Sequence, residues 1–101
     1  MIKTQINPEN LEKGAFILKT IAHPVRLAII TLLDKNEELS VTDLTEMTGE
    51  EQSAISHHLI NMKLKGILSS RKEGNRSFYF LKEKDVVKVI SCIQNCDCNF
   101  V

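Results

Sequence analysis

Gln52-Ser53-Ala54-Ile55-Ser56-His57-His58-Leu59-Ile60-Asn61-Met62-Lys63-Leu64-Lys65-Gly66 is the stretch on which the reading of this chain turns. At 3.6 residues per turn, Ile55, Leu59 and Met62 form one apolar stripe, and Ser53, Ser56, His57 and Asn61 lie on the faces turned away from it. The segment predicts one helix with a buried seam and a small, hydrogen-bonding exterior. Gly66 stands where a left-handed cap would end it, and Lys63 and Lys65 put positive charge in the last turn, where the macrodipole favours it. Short hydroxyls and an imidazole near the N-terminal end reach base edges without holding the backbone off, which suits entry into a DNA major groove.

Upstream, Ser40-Val41-Thr42-Asp43 reads as a capping box in its acidic form. It opens a short helix with Leu44 and Met47 inward, and Thr48-Gly49-Glu50 is the turn that follows. Short helix, glycine turn and polar-faced helix make a helix-turn-helix. Downstream the period changes. Residues 67–72 and 77–82 suit two strands, the second rich in aromatics through Phe78, Tyr79 and Phe80, with Glu73-Gly74-Asn75-Arg76 as the loop between. A hairpin directly after such a helix is a wing, and its tip carries Arg71, Lys72, Asn75 and Arg76, suited to DNA backbone or minor-groove contact.

Further out, Asn7-Pro8 is a helix start, and Leu11, Ala15, Leu18 and Ile21 or Ala22 recur at helical spacing, with Phe16 and Ile17 adding apolar surface beyond one stripe. That excess predicts a partner, such as a second copy of the chain. His23-Pro24 breaks the pattern as a boundary. A second helix is expected from about Val25 to Leu33 with Val25, Ala28, Ile29 and Leu32 inward, then a polar loop over 34–38. A last helix starts near Glu83 or Lys84, with Val86, Val89 or Ile90, and Ile93 on one face; it is too short to stand alone and is expected to pack on the first helix and on a second subunit.

The expected fold is mainly α with a small β-hairpin: a winged helix-turn-helix of five helices in the order α-α-α-α-β-β-α. With 101 residues, 43% of them apolar, the chain builds one core, read as a single DNA-binding and dimerisation domain over 1–101. No apolar run is long enough to span a membrane, and residues 1–5 lack the apolar core of a secretion signal, so a cytoplasmic protein is expected. Net charge is zero, but it is unevenly spread. Residues 1–50 carry five Lys/Arg against eight Asp/Glu, a balance of −3, whereas 51–82 carry six against two, a balance of +4. Positive charge therefore gathers on the segment beginning with the polar-faced helix, as a phosphate-binding footprint requires, although a plain solvated face has the same look.

Residues 18–30 (Leu-Lys-Thr-Ile-Ala-His-Pro-Val-Arg-Leu-Ala-Ile-Ile), Glu38-Leu39-Ser40-Val41-Thr42-Asp43-Leu44, Gln52 to Leu59 and Gly66-Ile67-Leu68 with the aromatic second wing strand resemble the ArsR/SmtB family of bacterial winged-helix repressors. The resemblance covers roughly residues 10–93. It implies a homodimer built from first and last helices, a palindromic double-stranded DNA operator, and repression relieved by a metal, metalloid or thiol-reactive inducer. Two inducer sites of that family are missing. Where members with a metalloid site have Cys-Val-Cys-Asp-Leu, this chain has Ser40-Val41-Thr42-Asp43-Leu44; where members with zinc on the last helix have Asp-x-His, Asp85 is followed by Val86 and Val87.

What remains is Cys92-x-x-x-Cys96-x-Cys98. Cys92 and Cys96 are neighbours on one helix face, and Cys98 joins them only if the helix ends near Asn95 or Cys96. Three thiolates would suit arsenite, or zinc with a fourth ligand; a cysteine pair could instead oxidise or take up persulfide. The plain alternative is a small core residue at Cys92 and an inert tail. A thiol oxidoreductase would need Cys-x-x-Cys beside a parallel sheet, and neither is present, so no enzyme is expected. Gln52, Ser53, Ser56 and His57 are the expected groove contacts. Adjacent His57 and His58 diverge by about 100° on a helix and do not chelate as a pair, which leaves His58 as a partly buried packing residue.

Overall fold

The computed structural model describes residues 7–94. Asn7 opens α1 (Pro8–Ile21): its side-chain oxygen accepts from the Glu9 amide at 2.9 Å, and proline fills the first helical position, where no amide is needed. His23 repeats the device for α2 (Pro24–Lys35), its Nδ1 accepting from the Val25 amide at 3.1 Å. The helix takes in Asp34 and Lys35, so the expected polar loop shrinks to residues 36–38.

A strand that the sequence pattern did not announce follows, β1 (Leu39–Ser40), too short to display any period. Ser40 is also the N-cap of α3 (Val41–Thr48). Its Oγ accepts from the Asp43 amide at 3.1 Å, and Asp43 Oδ2 accepts from the Ser40 amide at 3.0 Å, the reciprocal capping box. Those bonds, backbone first, hold the Asp43 carboxyl below the usual carboxylate range. α3 ends at Gly49 in the left-handed region, and α4 (Gln52–Leu64) begins three residues later.

α4 closes with a Schellman motif. The Gly66 amide donates to the Lys63 carbonyl and the Ile67 amide to the Met62 carbonyl, both at 3.0 Å, while Gly66 sits at φ +82°. Met62 and Ile67, the two residues such a motif presses together, are both buried. The chain then forms β2 (Leu68–Glu73) and β3 (Arg76–Leu81), and ends its described part in α5 (Val86–Gln94). The hairpin loop is two residues, Gly74-Asn75; among the described residues only glycines have positive φ, so Gly74 at +63° in the first loop position has the sign pattern of a type II′ turn. β1 joins the far side of β3, with Leu39 opposite Tyr79 and Ser40 opposite Phe78, giving a three-stranded antiparallel sheet in the order β1-β3-β2.

Ile55, Leu59 and Met62, the seam of α4, are fully buried against Ile29, Ile30, Leu44 and Ile67. Two expected faces are corrected. α2 buries Ile29, Ile30 and Leu33, whereas Ala28 is exposed and Val25 and Leu32 are half-buried. α2 carries two adjacent apolar stripes; the core takes one, and the other lines an open cleft of about 540 Å³ with Leu27, Met47 and Ile90. Met47, expected inward, is 49% exposed on this cleft. α1 leaves most of its apolar surface open within one copy: of its 14 residues only Thr20 and Ile21 are buried, and Leu11, Phe16 and Leu18 stand in solvent. Lys13 is paired with Glu83 at 3.0 Å, tying α1 to the approach of α5, and keeps the Glu83 carboxyl below its usual range. Among the described residues, no single helix is long and apolar enough to cross a membrane.

Candidate nucleic-acid interface

With its seam buried, α4 turns Gln52, Ser53 and His57 fully outward and leaves Ser56 half-buried at the edge. The same outward stripe continues through Ile60 and Leu64, which are 53% and 81% exposed. The sequence reading assigned these two no role, although Ile60 lies five residues from Ile55 and so off the buried seam.

The wing brings charge to the N-terminal half of α4. Asn75 and Arg76 line a small groove together with Gln52 and Ser56 of α4, Ser40, Val41 and Thr42 around the start of α3, and Ser77. Arg76 Nη2 donates to Ser40 Oγ at 3.0 Å, and its guanidinium lies 5.4 Å from the Phe78 ring centre. Four of the eight expected DNA contacts, Gln52, Ser56, Asn75 and Arg76, thus share one groove. Lys72 is exposed on the wing, and Ser53 and His57 are on the outward face of α4.

Arg71 is engaged differently. Its Nε donates to Glu38 Oε2 at 2.8 Å, its Nη2 to Glu38 Oε1, and its Nη1 to Glu73 Oε2 at 2.9 Å, with the guanidinium 4.8 Å over Phe78. The Arg71 bond holds the Glu38 carboxyl below the ordinary carboxylate range, and the two carboxylates push the guanidinium still higher. Its charge is therefore answered by two directly bonded carboxylates, whereas Arg76 donates to a neutral hydroxyl and feels the Asp43 carboxylate only through a weaker charge interaction.

Behind α4 lies a polar network. Arg26 Nε donates to His58 Nδ1 at 2.9 Å, and its Nη1 donates to Asn61 Oδ1 at 2.9 Å and to the Thr20 carbonyl at 2.8 Å. The half-buried His58 ring is 4.4 Å from that of His23 and 5.8 Å from that of His57. Burial above all, then the neighbouring His23, Arg26 and His57, push the His58 pKa down, against a smaller pull from Glu50.

Of the three cysteines, Cys92 falls in α5, and its side chain, like Cys96 and Cys98 altogether, lies outside the described residues. Among the described residues no group of three or more His, Cys, Asp or Glu could hold a metal ion.

A helix-turn-helix whose second helix shows a polar face, backed by an antiparallel wing with a cationic tip, defines a winged helix-turn-helix DNA-binding protein. Residues 23–70 match the family described as bacterial regulatory protein, arsR family. The transcriptional repressor PagR of Bacillus anthracis is 35% identical over 88 residues, spanning 84% of this chain and 88% of that protein. HlyU from Vibrio cholerae superposes with a TM-score of 0.80 at 33% identity, over 92% of this chain and 100% of that one. The homodimeric winged helix-turn-helix DNA-binding domain Mb0332 from Mycobacterium bovis superposes with a TM-score of 0.70 at 26% identity, over 93% and 86%. The chain belongs to the arsR family of bacterial regulatory proteins, and it is a DNA-binding transcriptional regulator, not an enzyme.

Proposed function

We propose that residues 1–101 form one DNA-binding and dimerisation domain that acts in the cytoplasm as a homodimeric repressor. It joins its copy through α1 and α5 and occupies a palindromic double-stranded operator. α4 enters the major groove, where Gln52, Ser53, Ser56 and His57 meet base edges, while Lys72, Asn75 and Arg76, with Arg71 beside them, contact the backbone or the minor groove. The observation that carries this reading is the division of α4: three apolar residues at 0% exposure on one side, and on the other an exposed Gln-Ser-His face opening beside Arg76.

The test is a mobility shift with His57→Ala against wild type, at two salt concentrations, on a duplex the wild-type protein selects from a random library. His57→Ala is expected to weaken the selected duplex by about tenfold, the worth of a good base contact, and to leave random DNA almost unaffected. Equal loss on both rejects base reading by His57. A wild-type protein that shifts no duplex at either salt is an interaction module that has kept the fold.

Release is assigned to Cys92, Cys96 and Cys98 as a thiolate site for a soft ion, arsenite first and zinc second, with cysteine oxidation or persulfidation as the competing chemistry. Three thiols within seven residues of a chain with no other cysteine support this reading. Arsenite is expected to free the duplex from wild type and not from the triple Cys→Ser variant. Release unchanged in the triple variant removes the site, and release by a thiol oxidant but not by arsenite assigns it to redox chemistry.

A further inference from the structure

Arg26 touches neither the outward face of α4 nor the wing, yet it makes three hydrogen bonds to two other helices. His58 and Asn61 are one turn apart on α4, so a single guanidinium grips that helix at two points and the last turn of α1 at a third. A planar fork spreads its donors over several nitrogens in fixed directions and so reaches acceptors on two helices at once, whereas an ammonium gathers its three donors on one nitrogen.

We propose that Arg26 is a positioning residue for DNA binding: by bridging the end of α1 to α4 it fixes the angle at which the recognition face is presented, and it does so only while His58 Nδ1 is free to accept. The inference rests on the reading of α4 as the recognition helix.

Accepting at Nδ1 requires the neutral imidazole with its proton on Nε2. A proton on Nδ1 removes the acceptor and sets imidazolium against guanidinium at a separation of 2.9 Å. The groups that face His58 are His23 before α2, Arg26 of α2, His57 of α4 and Glu50 before α4; the first three oppose that proton, and Glu50 favours it. Burial and these neighbours push the His58 pKa below its ordinary value, so the bridge is whole near neutrality and is lost only as acid is added. A positive charge on exposed His57 would draw the protein toward phosphate and so acts in the opposite sense.

The measurement is affinity for the duplex that the wild-type protein selects from a random library, followed by fluorescence anisotropy from about pH 7.5 to about 5, a window that reaches below the ordinary histidine range, where a depressed imidazole titrates. Wild type is expected to weaken several-fold toward acid. His58→Asn, whose side-chain oxygen can accept from Arg26 but does not titrate, is expected to bind like wild type at the upper pH and to hold that affinity across the range. Arg26→Lys should bind about tenfold more weakly at the upper pH, the worth of lost charged hydrogen bonds, with a normal circular dichroism spectrum. His58→Asn keeping the wild-type pH profile, or a folded Arg26→Lys binding as wild type does, overturns the proposal. Where Arg26→Lys does not fold, His58→Asn alone decides. If His57→Ala binds the selected duplex like wild type, the recognition reading itself falls; if His57→Ala is impaired while His58→Asn keeps the pH profile, only the positioning role falls.

Discussion

Arg71 and Arg76 look alike in the sequence, two cations near the tip of one hairpin, and their neighbours give them different work. Arg71 is held by Glu38 and Glu73, so meeting a phosphate would mean leaving two carboxylates. Among the described residues Arg76 has no carboxylate hydrogen bond to give up: it donates to the Ser40 hydroxyl, lies against the Phe78 ring and meets the Asp43 carboxylate only through a weaker charge interaction. The consequence is a difference in counterion release. Arg76→Ala should reduce the slope of log affinity against log salt by about 1, whereas Arg71→Ala should leave the slope close to wild type. Binding isotherms at three or more salt concentrations measure both. A slope lowered as much in Arg71→Ala as in Arg76→Ala would show that the carboxylates give up Arg71 when DNA arrives, and two slopes equal to wild type would remove both contacts. The sequence placed both residues on the wing because turn chemistry and charge are local signals. It could not separate them, because Glu38 lies 33 residues away from Arg71 along the chain.

At the scale of elements, what was legible had its cause within one turn of chain. The capping box at Ser40 and Asp43, the seam of α4 and the glycine that closes it are all local patterns, and each is found where its residues stand. The side of α2 that meets the core was not legible, since two neighbouring stripes are equally apolar and only packing chooses between them. Nor was β1, which exists because β3 offers it an edge rather than because Leu39 and Ser40 prefer extension. The α4 terminus is where a local signal converts to energy. At φ +82° a methyl group on residue 66 would meet no atom within 4 Å, so Gly66→Ala carries only the conformational cost of a left-handed alanine, about 1 kcal/mol. For a domain of this size that lowers Tm by roughly 4–8 °C. A thermal melt checks it, and an unchanged Tm would mean that the last turn of α4 unwinds and re-forms without the left-handed residue.

At the scale of the whole molecule, the question is what covers α1. A 14-residue helix that buries only its last two residues in its own protomer has too little packing to persist in water, and Leu11, Phe16 and Leu18 form the apolar surface it leaves open. The open cleft bordered by α2, Met47 and Ile90 leaves further apolar surface uncovered. A second copy supplying its own α1 and α5 would cover the helix and set two α4 helices side by side, and a palindromic site asks for them about one DNA turn apart, roughly 34 Å. Leu18 is the sharpest test, because it is half exposed on one copy, lines the cleft between α1 and α5, and takes no part in the fully buried core. Leu18→Glu places a charge at that seam while leaving the protomer core intact. Sedimentation velocity is expected to record a dimer for wild type and a monomer for the variant. Affinity for the two-half-site duplex should fall by about a hundredfold or more, since one monomer forfeits the effective concentration that the second half-site enjoys in a dimer. Affinity for a single half-site should stay near the wild-type value, because α4 and the wing are untouched. A dimeric Leu18→Glu protein with full operator affinity would move the seam away from α1 and leave the Arg26 bond to the α1 carbonyl of Thr20 as a contact within one copy alone.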